Sequence, residues 1–517
     1  MLSGPQPRAH HLRSLSIEVT TFCTTNATSS LDPDFEELYA SDFSQAPLIG
    51  DLLLSAQNLT ELALERFQPC LLKDSRIGSA LQSMSQLTNL RLSTLGDGAL
   101  SVLRSCKADI RRLTLSYYVE DDWPLDGETK TVPVLLSALT PFRNLHILKL
   151  WNFTPELPLP VGFDAPELLS LSYLRLSEST AYALDVVRLC PNLSTLIYSA
   201  DPEVSVPKSP PAVGVRWRPL RRLMIGAHDE IPSVLHNVSL VEKLHISGEM
   251  LSSGVDDEEI AHLIEFVRAS SPVELFLSVV IRSSALPFLT EVARAAPRLR
   301  ILELKVSLPS PDLVYEGWLD NLAASLQHLN VPCLRIYLPT FRLAYQQSLI
   351  DDNDDDSEQR ARLKGAIQME ARRTYSIRTL PQRLAETLQS LRYLCILDGG
   401  PNLGILTLLE DGEVPFANTT QETGIEEVYA AEVAVSDTDS FSSGNEEGQS
   451  TRTVYEWDEL RRTDRFHSVK WWQVIGDADG RRVKRISTTE GERTQQQLID
   501  SAQQQPLLAE RMSSLSL

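Results

Sequence analysis

Residues 144–150 read Asn-Leu-His-Ile-Leu-Lys-Leu, which places leucine at 145, 148 and 150. The same L-x-x-L-x-L spacing occurs at Leu12–Ile17, Leu59–Leu64, Leu87–Leu92, Ile110–Leu115, Leu171–Leu176, Leu193–Tyr198, Leu220–Ile225, Val241–Ile246, Leu299–Leu304, Leu326–Val331 and Leu391–Ile396. A weaker copy lies around Leu275. Within each copy the later leucines alternate, so they fall on one side of an extended strand and the intervening residues fall on the other. Repetition on this scale implies units stacked one on the next, because a single copy cannot bury its own apolar side.

The starts of the best-marked copies advance by 28, 23, 35, 26, 22, 27 and 21 residues between Leu59 and Val241. That irregular period brackets the unit of a leucine-rich repeat. Between the strands the apolar spacing changes to three and four residues, as in SRIGSALQSMSQL (75–87), DGALSVLRSCKADI (97–110), STAYALDVVRLCPNL (179–193), DEEIAHLIEFVRASSP (257–272) and LPFLTEVARAAPRL (286–299). These stretches are predicted helices. Pro191, Pro272 and Pro297 stop three of them ahead of the next strand. The expected fold class is α/β: a leucine-rich-repeat solenoid, a curved parallel sheet with helices on its convex side, over residues 1–409.

Regular repeats of this kind carry Asn or Cys three residues after the last strand leucine, where the side chain links neighbouring backbones. Here those positions hold Phe67, Leu95, Tyr118, Phe153, Ser179, His228 and Glu249. The Asn ladder is absent, which points to a degenerate class of repeat with loops of varied length.

The chain carries 69 acidic and 48 basic residues, a net charge of -21. Acid is concentrated in Asp351–Glu358, an acidic loop within the solenoid, and in Glu410–Glu459, where Arg452 is the one basic residue. Residues 410–453 are expected to form an acidic disordered insert, since so polar a segment cannot bury enough apolar area to offset chain entropy. HSVKWWQVI (467–475) and RRVKRIS (481–487) flank the turn-like GDADG and predict a hairpin within 454–490. Two strands alone are marginal in water, so Trp471 or Trp472 should dock on the solenoid. Residues 491–517, rich in Gln and Ser, read as a disordered tail.

No apolar stretch is long enough for a transmembrane helix, and the first residues lack the apolar core of a signal peptide. Six cysteines without a C-x-x-C pair fit a reduced compartment, so cytoplasm or nucleus is expected. Cys106 and Cys190 sit at helix-to-strand junctions, where a small buried side chain packs well. The sequence has no phosphate loop, zinc-binding H-E-x-x-H, nucleophile elbow or dinucleotide fingerprint. No enzyme activity, cofactor or metal is expected. The net charge argues against nucleic acid, as phosphate would be repelled. No membrane partner is expected.

The strand register proposes a face. Asn89, Arg91, Arg112, Thr114, Lys149, Trp151, Tyr173, Arg175, Arg222, Lys243, His245, Glu303 and Lys305 should all project from the side opposite the leucines. That face is mostly basic in an acidic protein. Arg and Lys there could hydrogen-bond an acidic or phosphorylated peptide, with Trp151 or Tyr173 as an anchor.

Beyond these readings the chain resembles a family. CPNLSTL at Cys190–Leu196, APRLRIL at Ala296–Leu302, the irregular repeat length and RFHSVKWWQV at Arg465–Val474 are similar to the repeat region of fungal, basidiomycete-type F-box/leucine-rich-repeat proteins. The likeness covers most of residues 11–490. It implies substrate selection by the repeats, with an F-box gripping the adaptor of a cullin-RING ubiquitin ligase. No F-box is evident: the first repeat begins at Leu12, so the ligase link requires an F-box supplied ahead of Met1. LPQRLAETLQSL at Leu380–Leu391 begins with the leucine-proline of an F-box, yet it reads as the helix of the last repeat. The alternatives are a stand-alone repeat scaffold and a small-GTPase regulator, although repeats of the latter are regular and Asn-laddered.

Overall fold

In a computed structural model, residues 8–22, 42–117, 130–160, 163, 166–200, 216–250, 257–280, 287–307, 322–323, 326–327, 329–338, 378–398, 468–476 and 480–515 are described. They form an α/β protein of fifteen strands whose order in the sheet follows their order in the chain. The acidic segments at 351–358 and 410–453 lie outside the described residues. Two compact units are distinguished: 1–305 with 329–332 and 494–517, and 306–328 with 333–493.

In the first unit, strands β1 (Ser14–Ile17), β2 (Glu61–Leu64), β3 (Asn89–Ser93), β4 (Arg112–Ser116), β5 (Ile147–Trp151), β6 (Tyr173–Ser179), β7 (Thr195–Ala200), β8 (Leu220–Ile225), β9 (Val241–Met250) and β10 (Glu274–Val280) pair in parallel. Strand β11 (Ile301–Ser307) follows, with residues 301–305 in this unit. Helices join the strands: α1 (Ala46–Ser55), α2 (Phe67–Lys73), α3 (Arg76–Ser83), α4 (Asp97–Arg104), α5 (Val132–Leu139), α6 (Ile231–Leu235), α7 (Asp257–Ser270) and α8 (Pro287–Ala295). The helix expected across 179–193 is a 3₁₀ helix over Ala181–Leu189.

The pattern leucines set the register. Leu62, Leu90, Leu113, Leu148, Leu174, Leu196, Leu223, Leu244 and Leu275 are matched strand to strand and all at most 3% exposed. A register slip of one residue would turn every one of them to the other face, so burial enforces the pairing. Ile77, Leu81, Leu100, Leu103, Leu135 and Phe266 from the helices complete this core.

A different ladder stands in for the missing asparagines. The carbonyls of Arg13, Thr60, Thr88, Arg111, His146 and Ser172 each accept two backbone N–H groups from the following repeat, at 2.8–3.1 Å. The hydroxyls of Thr60, Thr88, Ser172 and Ser194 each donate to the same carbonyls, those of Arg13, Thr60, His146 and Ser172. Asn58 and Asn192 donate their side-chain amides to the preceding unit, at the carbonyls of His10 and Leu169, both 2.8 Å away. The position three residues after the last strand leucine is given to packing: Phe67, Leu95, Phe153 and Ser179 are fully buried. Arg66, Thr94, Asn152 and Glu178 precede them in left-handed backbone, at φ 51–54°. Replacing Thr88 with Val keeps the shape and the backbone bonds but removes the hydroxyl donor, with an expected cost of about 1 kcal/mol in urea unfolding. An unchanged midpoint would show that the hydroxyl adds nothing to the backbone ladder.

In the second unit, β12 (Cys333–Leu338) and β13 (Tyr393–Asp398) are parallel, whereas β14 (Ser468–Ile475) and β15 (Arg482–Ile486) are antiparallel additions. The stretch beginning Leu380-Pro381 lies in a helix, α9 (378–387), that leads into β13. Its Gln382 clamps the hairpin: the amide nitrogen donates to the Arg481 carbonyl at 2.9 Å, and the amide oxygen accepts the Val483 N–H at 3.2 Å. The Arg481 guanidinium donates to the carbonyls of Gln389 and Leu391. Trp471 is 1% exposed, beside Cys395 in the register, with the Arg335 guanidinium 5.7 Å from its ring. Trp472 is half-buried.

The last segment departs from expectation. Residues 491–517 were predicted to be a disordered tail, but α10 runs Thr488–Leu515. Gln, Glu, Arg, Leu and Ala are good helix formers, and the Ser487 hydroxyl accepts the Glu490 N–H at 3.2 Å to start the helix. Gln495, Ile499 and Ala502 share one side at helical spacing, and Ile499 and Ala502 are 1% and 2% exposed. Among the described residues no helix is long and apolar enough to cross a membrane.

Candidate functional site

Parallel pairing converts alternate residues of successive strands into rows across the sheet, on the face opposite the buried leucines. One row reads Arg91, Thr114, Lys149, Arg175 over β3–β6, and the next reads Asn89, Arg112, Ile147, Tyr173. A third carries Ser93, Ser116, Trp151 and Ser177. Neighbouring strands lie about 4.8 Å apart, so these cations occupy a single surface patch. Arg91 and Arg112 are exposed, while Thr114, Lys149, Trp151, Tyr173 and Arg175 are half-buried.

The aromatics hold the cations in place. The Arg175 guanidinium carbon lies 4.5 Å from the Trp151 ring centre, and its Nε donates to Ser177 Oγ at 2.7 Å. Lys149 Nζ stands 6.0 Å over Tyr173. Such stacking fixes the plane of a guanidinium. Arg91 reaches Glu65 at 3.5 Å, an exposed pair of little energetic consequence.

Family models and curated proteins offer no match to this chain. The reading of the face therefore rests on its own chemistry. Among the described residues there is no group of three or more His, Cys, Asp or Glu placed to hold a metal ion. Cys70 and Cys190 are buried, and burial pushes their thiols up to about 12, so they stay protonated and unreactive at neutral pH.

Beyond β7 the face changes character, and here the expected site residues require correction. Arg222 is 8% exposed, His245 3% and Glu303 0%, so these three do not project into solvent. Lys243 is half-buried and pairs with Glu274 at 2.9 Å. The reason lies in the row itself: after Arg175 it continues as Ile197, Met224, His245 and Phe276, a mainly apolar series. The His245 imidazole lies flat on the Phe276 ring, with centroids 3.9 Å apart and planes 2° apart. Burial, then the charges of Arg222 and Lys305, hold its pKa well below the ordinary value, so it is neutral at physiological pH.

For Glu303 a second reason is α10. Gln495 Nε2 donates to Glu303 Oε1 at 3.3 Å. Gln496 and Asp500 line a cavity of about 490 Å³ together with Pro219, Arg221, Leu240, Glu242 and Arg298. Alternation alone marked Arg222, His245 and Glu303 as outward-facing. The signals that correct it are Ile197 and Phe276 at outward positions and the apolar spacing of Leu498, Ile499 and Ala502. The open part of the candidate face is thus β3–β6, and the covered part is β8–β11.

Proposed function

We propose that this chain is a non-catalytic protein-recognition module of the leucine-rich-repeat type, and that β3–β6 receives an acidic or phosphorylated peptide. One observation carries the reading: Arg91, Arg112, Lys149 and Arg175 converge on one patch of a protein with net charge -21, two of them braced by Trp151 and Tyr173. Charge-assisted hydrogen bonds from such a fork-and-ring arrangement suit carboxylate and phosphate groups. The flat aromatic edges give a peptide side chain an apolar seat.

The family resemblance extends this reading to substrate recognition for a ubiquitin ligase of the cullin-RING class, with the F-box supplied from outside residues 1–517. Two experiments separate these levels. Isothermal titration against synthetic Glu- and phosphoserine-rich peptides should lose about a hundredfold or more in affinity when Arg112, Lys149 and Arg175 are all replaced by Glu, since each removed charged contact is worth about 1.5–3 kcal/mol. Binding that survives the triple reversal excludes the basic patch. Mapping the transcript upstream of Met1 addresses the ligase level: an in-frame F-box supports it, and a stop codon leaves a stand-alone scaffold.

A further inference from the structure

We propose that residues 494–502 of α10 act as a ligand in cis, occupying the β8–β11 part of the binding face and confining an incoming peptide to β3–β6. The inference rests on the peptide-binding reading of β3–β6 and adds the rest of that surface and its regulation. The rows run without interruption from Arg175 on β6 through Ile197 and Met224 to His245 and Phe276. A peptide lying across the strands would meet a charged stretch and then an apolar one.

Against this second part of the sheet, at Glu303 on β11 and at the entries to β8 and β9, lies an amphipathic helix of the protein's own chain. Gln495 supplies a hydrogen bond to a fully buried carboxylate, Glu303, and Ile499 and Ala502 on the same helix side are buried. Asp500 sits in a cavity whose wall includes Arg221 and Arg298. An apolar stripe with an acid at its edge is also the chemistry assigned to the partner. Helix-in-groove docking of this kind is read by anchors three and four residues apart, which is the spacing of 495, 499 and 502.

With the helix seated, a peptide uses β3–β6 alone; for a peptide long enough to reach β8–β11 the apparent affinity is lowered by the fraction of molecules in which that part is free. The Gln495–Glu303 hydrogen bond is the polar anchor on which the release is tested. Gln495→Glu places a second carboxylate against Glu303 without altering the apolar stripe, and like charges out of water repel strongly. Adding Glu303→Gln restores a donor–acceptor pair and should reseat the helix.

The test compares full-length wild type, Q495E and the Q495E/E303Q pair in two measurements. The first is protection of His245 from diethyl pyrocarbonate, which needs no ligand. The second is affinity for a Glu- and phosphoserine-rich peptide, with the Arg112, Lys149 and Arg175 reversal as control. The expected result is rapid modification of His245 and about tenfold tighter binding in Q495E, with both effects reversed in the pair. His245 that stays protected in Q495E overturns the assignment of α10 as its cover. His245 exposed with unchanged affinity overturns competition while leaving peptide binding by β3–β6 intact. Peptide binding absent from all three proteins refutes the β3–β6 reading and competition together, and the His245 result then still reports what covers β8–β11.

Discussion

Replacing Trp471 with Ala is expected to destabilise the second unit by about 3–5 kcal/mol, the cost of emptying the site of a fully buried large aromatic. Trp471 is the largest fully buried side chain among the described residues. Arg335 lies over one part of its ring. Against it, α10 places Gly491, where even a β-carbon would overlap the indole atoms Cγ, Cδ2 and Cε2. Gly491→Val should therefore cost a comparable amount through overpacking. The two changes should couple: with the indole removed, the valine side chain has space, so the double variant should be more stable than the sum of the single losses. The indole N–H has no hydrogen-bond partner among the described residues, so Trp471→Phe should be far milder than Trp471→Ala. Trp472, half-buried on the next position, should tolerate Ala with about 1 kcal/mol or less. Hydrogen exchange of β12–β15 read by mass spectrometry would report these effects locally. Equal sensitivity at Trp471 and Trp472 would contradict the packing described here.

A second large effect is expected from pH, at Glu230. This carboxylate is 4% exposed and joins the ends of two strands: Oε1 accepts the N–H of Ala200, the last residue of β7, at 2.8 Å, and Oε2 accepts the Gly226 N–H at 2.9 Å just after β8. Burial outweighs those donors and raises its pKa from an ordinary 4.5 to about 7. The folded protein thus holds this proton more tightly than the unfolded chain. The associated stability is fully present below pH 4.5, declines as pH rises from 4.5 to 7, and is absent above 7. A shift of this size corresponds to about 3 kcal/mol at 1.36 kcal/mol for each pH unit. Glu230→Gln removes the titration and leaves one N–H facing an amide group, at a cost of about 1–3 kcal/mol independent of pH. Wild type should therefore lose about 3 kcal/mol relative to E230Q between pH 4.5 and 7, so that its advantage at pH 4.5 disappears or reverses by pH 7, measured by urea titration. Parallel curves for the two proteins would show that Glu230 does not titrate in this window.

The charge-reversal and helix-release experiments concern recognition, and they depend on which part of the sheet face is open. Sequence alternation placed Arg91, Arg112, Lys149 and Arg175 on one side of their strands, and that much needs only the two-residue period of extended chain. It could not show that Arg222, His245 and Glu303, marked by the same rule, are covered. Exposure is decided by what packs on that side: the Phe276 ring lies flat on His245, and Gln495, about 190 residues further along the chain, meets Glu303.

The recurring leucine spacing alone determined an α/β chain of strands and connecting helices, because that spacing is dictated by local geometry and by the need to bury one side of each unit. The weak hairpin signal around Trp471 was legible for the same reason. What only the tertiary structure decided is how polar groups are satisfied and which faces are closed. A carbonyl ladder through Thr60, Thr88, Arg111, His146 and Ser172 links successive units, since a backbone donor brought into register satisfies these groups without a side chain. The helix at Thr488–Leu515 looked like a Gln- and Ser-rich tail, because a short amphipathic stripe is marginal by itself and is held by the surface it meets.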